Sequence, residues 1–183
     1  GNDFQADLGQ GLSYPAVSPH VVPVSSVTNV GQFSEFSQRH ERVIAAPGQF
    51  ITSTAPDYLS GFDGVTDDFV TASGTSMASP YVAGASVLIR EAMQFVGLEN
   101  ITQEHIYNHM RDTADVFYDP ATNAPYHRLN LESAIQAIMP ADDFGGFDNP
   151  FDLGTLTGAT SLSGLIGQTT DADVFRFTAG QTG

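Results

Sequence analysis

The sequence is most informative at residues 74–80, which read Gly-Thr-Ser-Met-Ala-Ser-Pro. Few helix-breaking residues follow, and Gly97 stands where a helix would end, so we predict a helix over 77–95. Pro80 is tolerable in a first turn, where a backbone N–H has no helical partner. The turn ahead of this helix would hold Ser76 at the helix N-terminus, where free N–H groups and the helix dipole favour a developing negative charge.

Two interpretations of this segment compete. A bare Gly-Thr-Ser is most often an ordinary turn in which Thr75 or Ser76 caps a helix. Alternatively, Ser76 is a nucleophile, which requires a base to remove its proton and fixed hydrogen-bond donors for the oxyanion. The stretch 74–80, continued by Tyr-Val-Ala-Gly at 81–84, resembles the serine signature of the subtilisin family. The resemblance implies a serine endopeptidase with Ser76 as its nucleophile.

The resemblance extends over residues 1–139, in the order found in the family. Gly1-Asn2 resembles the end of the family's Ala-Ala-Gly-Asn segment, which implies that the Asn2 side chain and the Ser76 backbone N–H donate to the oxyanion. Tyr14-Pro15 resembles a family Tyr-Pro with a cis peptide bond, near the pocket for the residue before the scissile bond. The substrate-binding residues implied in the same way are Gly1, Ser13, Tyr14 and Thr75.

The fold class implied is α/β, a three-layer subtilisin-like fold with a mostly parallel sheet, of which residues 1–139 form the C-terminal part. Local patterns supply the elements, because β-branched runs predict strands, clusters of Pro, Gly and Asp predict loops, and apolar spacing behind a cap predicts helices. Residues 33–36 fit either an edge strand or a loop. These rules give strands over 18–27 and 43–46, a surface loop or hairpin over 55–70, and helices over 102–111 and 131–139, the last capped by Asn130.

Two features depart from the family pattern. Ser73 stands where the family commonly has asparagine, although serine also occurs there. The 55–70 loop is several residues longer than in the best-known members and borders the leaving-group side of the site. Its aspartates could hold structural Ca²⁺, although a solvated loop is the simpler explanation. They are Asp57, Asp63, Asp67 and Asp68.

The base and the acid that orients it are expected outside this sequence. The family order is Asp, His, Ser, so both partners of Ser76 should precede Gly1, which we interpret as a cut inside a longer protein. His105 and His109 have the four-residue spacing of zinc ligands, but the third ligand and the glutamate of that motif are missing. We therefore predict no metal-ligand set and an inactive isolated chain. None of the five histidines stands in a setting that resembles the family's His-Gly-Thr-His segment. They are His20, His40, His105, His109 and His127.

Two other functions stay open. In an α/β-hydrolase-type esterase the serine is followed by an acid and then a histidine, an order that Ser76, Asp115 and His127 satisfy. Ala78 stands where that motif needs glycine, which counts against the esterase. The second alternative is a secreted binding module without catalysis, and an intact upstream Asp and His would exclude it.

A change of composition after Pro140 predicts a separate unit over residues 140–183. Asp148–Gly154 and Asp171–Phe177 resemble the opening of the bacterial pre-peptidase C-terminal domain. So short a segment cannot complete a sandwich of about 100 residues, so we expect a partial all-β sandwich-type unit. Asp171 and Asp173 would share one face of a strand and could bind Ca²⁺ there.

Composition restricts the partners. The 183 residues include 21 acidic and 6 basic side chains, with a formal net charge of -15 and no cysteine. Such a surface repels nucleic acid and anionic lipid, and the missing thiols remove disulfides, thiolate zinc sites and a cysteine nucleophile. No apolar run approaches the ~20 residues that span a bilayer. We expect a secreted, extracellular monomer acting on a protein or peptide substrate, without a nucleic-acid or membrane partner or a cofactor required for chemistry.

Overall fold

The computed structural model describes residues 1–5, 9–140, 144–164 and 172–180. The chain forms two compact units, Gly1–Ala137 and Ile138–Gly183. The described part of the first unit contains strands β1 (Val24–Val27), β2 (Ile44–Pro47), β3 (Ile51–Thr54), β4 (Phe69–Ala72), β5 (Asp115–Asp119) and β6 (Ala124–Arg128), and helices α1 (Thr75–Phe95), α2 (Gln103–Asp112) and α3 (Leu131–Gln136).

Among these strands, four form a mixed sheet in the order β1-β2-β6-β5. β1 pairs with β2 in parallel, and so does β2 with β6, whereas β5 and β6 form an antiparallel hairpin. The predicted α/β class is confirmed, with parallel and antiparallel pairs in one sheet. β3 and β4 pair antiparallel on either side of residues 55–68, so the predicted loop or hairpin is the connection of a hairpin.

Helix α1 packs against β1 and β2 and also contacts α2 and α3. Its buried residues recur every three or four positions, which gives the helix one apolar face. They are Ala78, Val82, Ala85, Ile89, Ala92 and Met93. The helix begins at Thr75, two residues earlier than predicted, so Pro80 lies beyond its first turn and removes a donor for the Ser76 carbonyl. None of the described helices is long and apolar enough to cross a membrane.

The core beside the sheet is partly aromatic. The Phe33 ring packs edge-on against Phe117 and Tyr126, each with its ring centroid 4.9 Å away. Tyr126 is completely buried and Phe33 nearly so, together with Val27 and Val43. The 33–36 segment is therefore a loop that contributes to the core, with one isolated bridge between Phe33 and Val27.

Several predicted bounds were wrong for identifiable reasons. The strand predicted over 18–27 is confined to β1, because Pro19 and Pro23 lack the N–H that a strand ladder needs. The helix predicted over 131–139 ends at Gln136, although Asn130 caps it as expected by accepting a bond from the Ser133 N–H. The hairpin of β5 and β6 was not predicted.

In the second unit, the described residues form strands β7 (Phe151–Leu156) and β8 (Phe175–Ala179), which pair in parallel. Phe144, Phe151 and Phe175 pack edge to face with ring centroids 5.0–6.4 Å apart. Arg176 donates to Asp152 across the strand pair at 2.6 Å. Asp171, one of the predicted Ca²⁺ ligands, lies outside the described residues.

Candidate active site

The turn before α1 is attached to the sheet by backbone hydrogen bonds. The Gly74 N–H donates to the Gly48 carbonyl at 2.8 Å, and the Gly48 N–H donates to the Val27 carbonyl at 3.1 Å. A Cβ on Gly48 would lie 2.5 Å from Ser26 Oγ and 2.7 Å from the Gly74 carbonyl oxygen, distances that Cβ contacts do not reach. Glycine at position 48 therefore allows the end of β2 to approach the turn before α1.

Ser76 is the second residue of α1 and is exposed. The first turn of the helix contains no acidic side chain that would oppose a developing negative charge. Within the described ranges, no histidine or carboxylate side chain is hydrogen-bonded to the Ser76 hydroxyl. The chain positions a serine at a helix N-terminus, and its described residues supply no base for it.

Asn2 and Thr75 come together although 73 positions separate them in the sequence. Asn2 Oδ1 accepts from the Thr75 N–H and from the Thr75 hydroxyl, each at 2.9 Å. A backbone N–H can pair only with the oxygen of the amide, so the orientation of the Asn2 side chain follows from chemistry. Its Nδ2 then lies beside the turn, 3.2 Å from where a Cβ on Gly74 would be. The amide N–H groups are thus available next to Ser76, and Thr75 uses both of its donors on Asn2.

Gln38 joins two segments predicted to bind substrate. Its backbone N–H donates to the Gly1 carbonyl at 3.0 Å. Its side chain accepts from the Ser13 N–H at 3.1 Å and donates to Ser13 Oγ at 2.9 Å. Tyr14 is 85% exposed, and the predicted cis peptide bond before Pro15 is present. Gly1 and Ser13 are therefore brought together, whereas Tyr14 extends into solvent.

A buried cation supports the segment of residues 1–5, which we call the N-terminal arm. The Arg39 guanidinium carbon lies 3.5 Å from the centroid of the Phe4 ring, and Arg39 Nε lies 3.4 Å from an Asp119 carboxylate oxygen. Burial lowers the pKa of Arg39, and the Asp119 charge opposes that change. The Phe4 N–H also donates to the Phe36 carbonyl at 3.0 Å. Arg39 and Asp119 thus hold the arm that carries Asn2, and no local sequence signal pairs residues so far apart.

The alternative triad is not assembled. Asp115 and Arg128 face each other across β5 and β6, and Arg128 donates to the Asp115 carboxylate at 2.8 Å. His127, next to Arg128 in the strand, projects to the opposite face of the sheet. Burial is the main cause that lowers the pKa of His127, followed by the nearby Arg111 charge. No hydrogen bond joins His127 to Ser76 in the described structure, so the esterase reading loses its geometric basis.

Other predicted site features have local structural roles. His105 and Thr102 form a reciprocal cap at the start of α2, and His109 Nε2 lies 2.7 Å from the Ala134 carbonyl oxygen. Asp57 Oδ1 accepts from the Asp63 and Gly64 N–H groups, so this carboxylate closes its own loop. In the part of the chain that the structure describes, no cluster of three or more His, Cys, Asp or Glu side chains could hold a metal ion.

Comparison with known proteins identifies relatives of this chain. The model of the subtilase family, peptidase S8, matches residues 1–145. The Major intracellular serine protease of Bacillus subtilis (strain 168) is 38% identical over 92 residues, which are 49% of this chain and 26% of that protein. The Halolysin-like extracellular serine protease Nep of Natrialba magadii is 33% identical over 130 residues, which are 70% of this chain and 21% of that protein.

A solved structure, that of the Patellamide maturation protease PatA, has a TM-score of 0.53 and 24% identity over 68% of this chain and 45% of that chain. That likeness establishes the fold alone. Because the family model covers most of the sequence, the chain belongs to the subtilase family of serine peptidases. The chain spans less than half the length of each of these three proteins.

Proposed function

We propose that this chain is the part of a serine endopeptidase that carries the nucleophile, Ser76, and one oxyanion donor, Asn2. The observation that supports this most directly is the pair of hydrogen bonds that Thr75 donates to Asn2 Oδ1. They fix the amide with its N–H groups beside the turn. An oxyanion needs donors that are oriented before the reaction begins. A serine that merely capped a helix would not require such a partner 73 positions away beside it.

In this proposal Ser76 Oγ attacks the carbonyl carbon of the scissile peptide bond while its proton passes to an imidazole. The new C–O bond leaves an oxyanion that accepts from Asn2 Nδ2 and the Ser76 N–H. Collapse of this intermediate breaks the C–N bond, the imidazole protonates the departing amine, and an acyl-enzyme remains. Water then attacks the carbonyl carbon of the acyl-enzyme in the same way, which breaks the ester bond to Ser76 and releases the second product.

We propose that the imidazole and its orienting carboxylate come from a segment that packs on β1 and α1. Apart from the bridge between Val27 and Phe33, the outer edge of β1 pairs with no described strand. A groove of about 420 Å³ lies between β1, α1 and α2. Val87 of α1, which lines this groove, is 56% exposed. Residues 34 and 37 already bond the Ser26 backbone on this edge, but the groove and its exposed apolar lining call for a covering layer, which would complete a three-layer domain.

The finer assignments are proposals of the same kind. Gly1, Ser13 and Tyr14 would border the pocket for the residue before the scissile bond. We propose that the enzyme is a secreted monomer, since the strongly acidic composition favours dispersion, although the relatives include an intracellular and an extracellular protease. Residues 140–183 would begin a β domain like the bacterial pre-peptidase C-terminal domain. The two paired strands and their aromatic cluster support this assignment.

The test is hydrolysis of a denatured protein by the full-length protein that contains this chain. Ser76→Ala should abolish hydrolysis, and in subtilisin the corresponding change lowers kcat by roughly 10⁶. Ser161→Ala is the matched control, because Ser161 is exposed and belongs to the second unit. Equal activity of wild type and Ser76→Ala would exclude the proposed role. The isolated 183-residue chain should be inactive, because no described side chain can deprotonate Ser76.

A further inference from the structure

We infer that Gln38 is a specificity-determining residue, whose side-chain amide closes the base of the pocket for the residue before the scissile bond and selects an uncharged side chain there. The inference rests on the proposed function, since it takes Gly1 and Ser13 as the borders of that pocket. Gln38 belongs neither to the segment that contains Gly1 nor to the one that contains Ser13, and its sequence neighbours contain no motif that suggests a role in binding.

The Gln38 amide fills the space directly beside Gly1. A Cβ on Gly1 would lie 2.4 Å from Gln38 Oε1 and 3.0 Å from Gln38 Cδ. The same Cβ would lie 3.6 Å from Ser13 Oγ. The amide therefore occupies the space into which a side chain at position 1 would extend, and it contacts both Gly1 and Ser13.

Gln38 is held by hydrogen bonds to its side-chain amide and to its backbone. Its amide makes two bonds to Ser13, one in each direction. Its backbone N–H donates to the Gly1 carbonyl, and its carbonyl accepts from Ser25 Oγ at 2.6 Å. An amide fixed in this way is a rigid wall of the pocket, because turning it would break both bonds to Ser13.

The two bonds to Ser13 leave the amide with unused capacity. A glutamine amide has two N–H donors and two acceptor lone pairs, of which Ser13 takes one each. The neutral amide can satisfy a hydrogen-bonding side chain of the substrate, but it offers no charge to balance Lys, Arg, Asp or Glu. The nearby Asp3 carboxylate is exposed, so solvent screens its charge. Desolvating an unbalanced charge is costly, so uncharged side chains should be preferred.

The test uses Gln38→Glu in the full-length protein. Glutamate has the shape of glutamine, and its carboxylate can accept from the Ser13 N–H and from the Ser13 hydroxyl after that hydroxyl turns. The change therefore retains the link to Ser13 and adds a negative charge at the base of the pocket. We expect kcat/KM for peptides with Arg before the scissile bond, relative to the same peptides with Gln, to rise about tenfold or more, because a close opposite charge compensates the guanidinium.

Gln32→Glu is the matched control, since Gln32 is exposed, no hydrogen bond joins it to Ser13 in the described structure, and the substitution adds the same charge. It should change the Arg-to-Gln ratio less than about twofold, which separates a local effect from long-range attraction. Gln38→Met is the second variant. It keeps the length of the side chain, removes both bonds to Ser13, and should shift the preference from Gln towards Leu by about fivefold.

An unchanged ratio in both Gln38 variants, with Ser76 still active, would overturn the inference and leave the proposed function intact. A wild-type protein that hydrolyses no peptide would instead contradict the proposed function itself. If Gln38→Glu does not fold, as judged by the absence of a cooperative thermal unfolding transition, Gln38→Met alone decides between the outcomes.

Discussion

At the scale of single residues, the site depends on how Asn2 is held. Both lone pairs of its Oδ1 are used by Thr75, which is more than an exposed asparagine needs for stability. An amide oriented before the substrate arrives pays no reorganisation cost during the reaction. We therefore propose that the pair serves catalysis rather than folding, and the two contributions can be measured separately.

Asn2→Ala should lower kcat with little effect on KM, because the donor acts on charge that exists only in the transition state. The expected loss is about 10²–10³-fold, the size measured for the oxyanion-hole asparagine of subtilisin. Steady-state kinetics of the full-length protein give both constants, and thermal unfolding serves as the stability control. A rise in KM with unchanged kcat would contradict the assignment.

At the scale of elements, the nucleophile turn depends on its contact with the end of β2. Gly48→Ala should destabilise the protein by about 1–3 kcal/mol and lower activity, because the added methyl group collides with the Gly74 carbonyl and displaces the turn. Gly146→Ala is the control, since a Cβ there meets no described atom within 4 Å. Urea unfolding and peptide hydrolysis measure the two effects. Full activity in Gly48→Ala would show that the contact does not position Ser76.

His127, in β6, should make the stability of the protein depend on pH. The pKa of His127 in the folded protein lies below its ordinary value of 6.5, mainly because of burial and then because of Arg111, with Asp112 acting in the opposite direction. Between the folded pKa and 6.5, the unfolded chain binds more protons than the folded one. The contribution of His127 to stability should therefore be lost as pH falls below about 6.5 and be fully present above it.

His127→Gln removes this titration, so its free energy of unfolding should vary less than that of the wild type between pH 5 and 8. Denaturant unfolding of both proteins at several pH values measures the difference. Parallel curves for the two proteins would argue against a lowered pKa at this position.

The sequence predicted some elements well because their signals are local. The few helix-breaking residues after Ser76, with Gly97 as the end signal, predicted all of α1 except its first two residues. Asn130 predicted the start of α3. The hairpin of β5 and β6 was not predicted, although its signal is local: turn residues between Asp119 and Ala124 separate two runs that contain aromatic residues. Strand ends near Pro19 and Pro23 were overextended because the β-branched composition outweighed the missing N–H groups.

The site was predictable only in part, because its contacts join distant residues. Asn2 and Thr75 were paired through the family resemblance, and no rule of spacing connects them. Gln38, Arg39 and Asp119 carry no motif, and their roles follow from tertiary contacts alone. The triad suggested by the order of Ser76, Asp115 and His127 failed because alternate residues of a strand point to opposite faces.

At the scale of the whole molecule, the net charge of -15 should make stability depend on salt. Like charges repel more strongly in a compact state than in an expanded one, and salt shortens the Debye length from about 10 Å at 0.1 M to about 3 Å at 1 M. We expect raising NaCl over this range to stabilise the protein by on the order of 1 kcal/mol, or roughly 2–4 °C in Tm. Calorimetry measures the change, with KCl as the control. A lower Tm in 1 M salt would contradict the role of self-repulsion.

The central claim is that Ser76 is an activated nucleophile in the assembled protein. A serine-directed phosphonate with a peptide recognition element reacts only where a base, an oxyanion site and a substrate pocket act together. Incubation of the full-length protein followed by peptide mass spectrometry should locate one phosphonate on Ser76, with the labelling greatly slowed in Asn2→Ala. Label on another serine, or none under conditions where subtilisin is fully modified, would contradict the account.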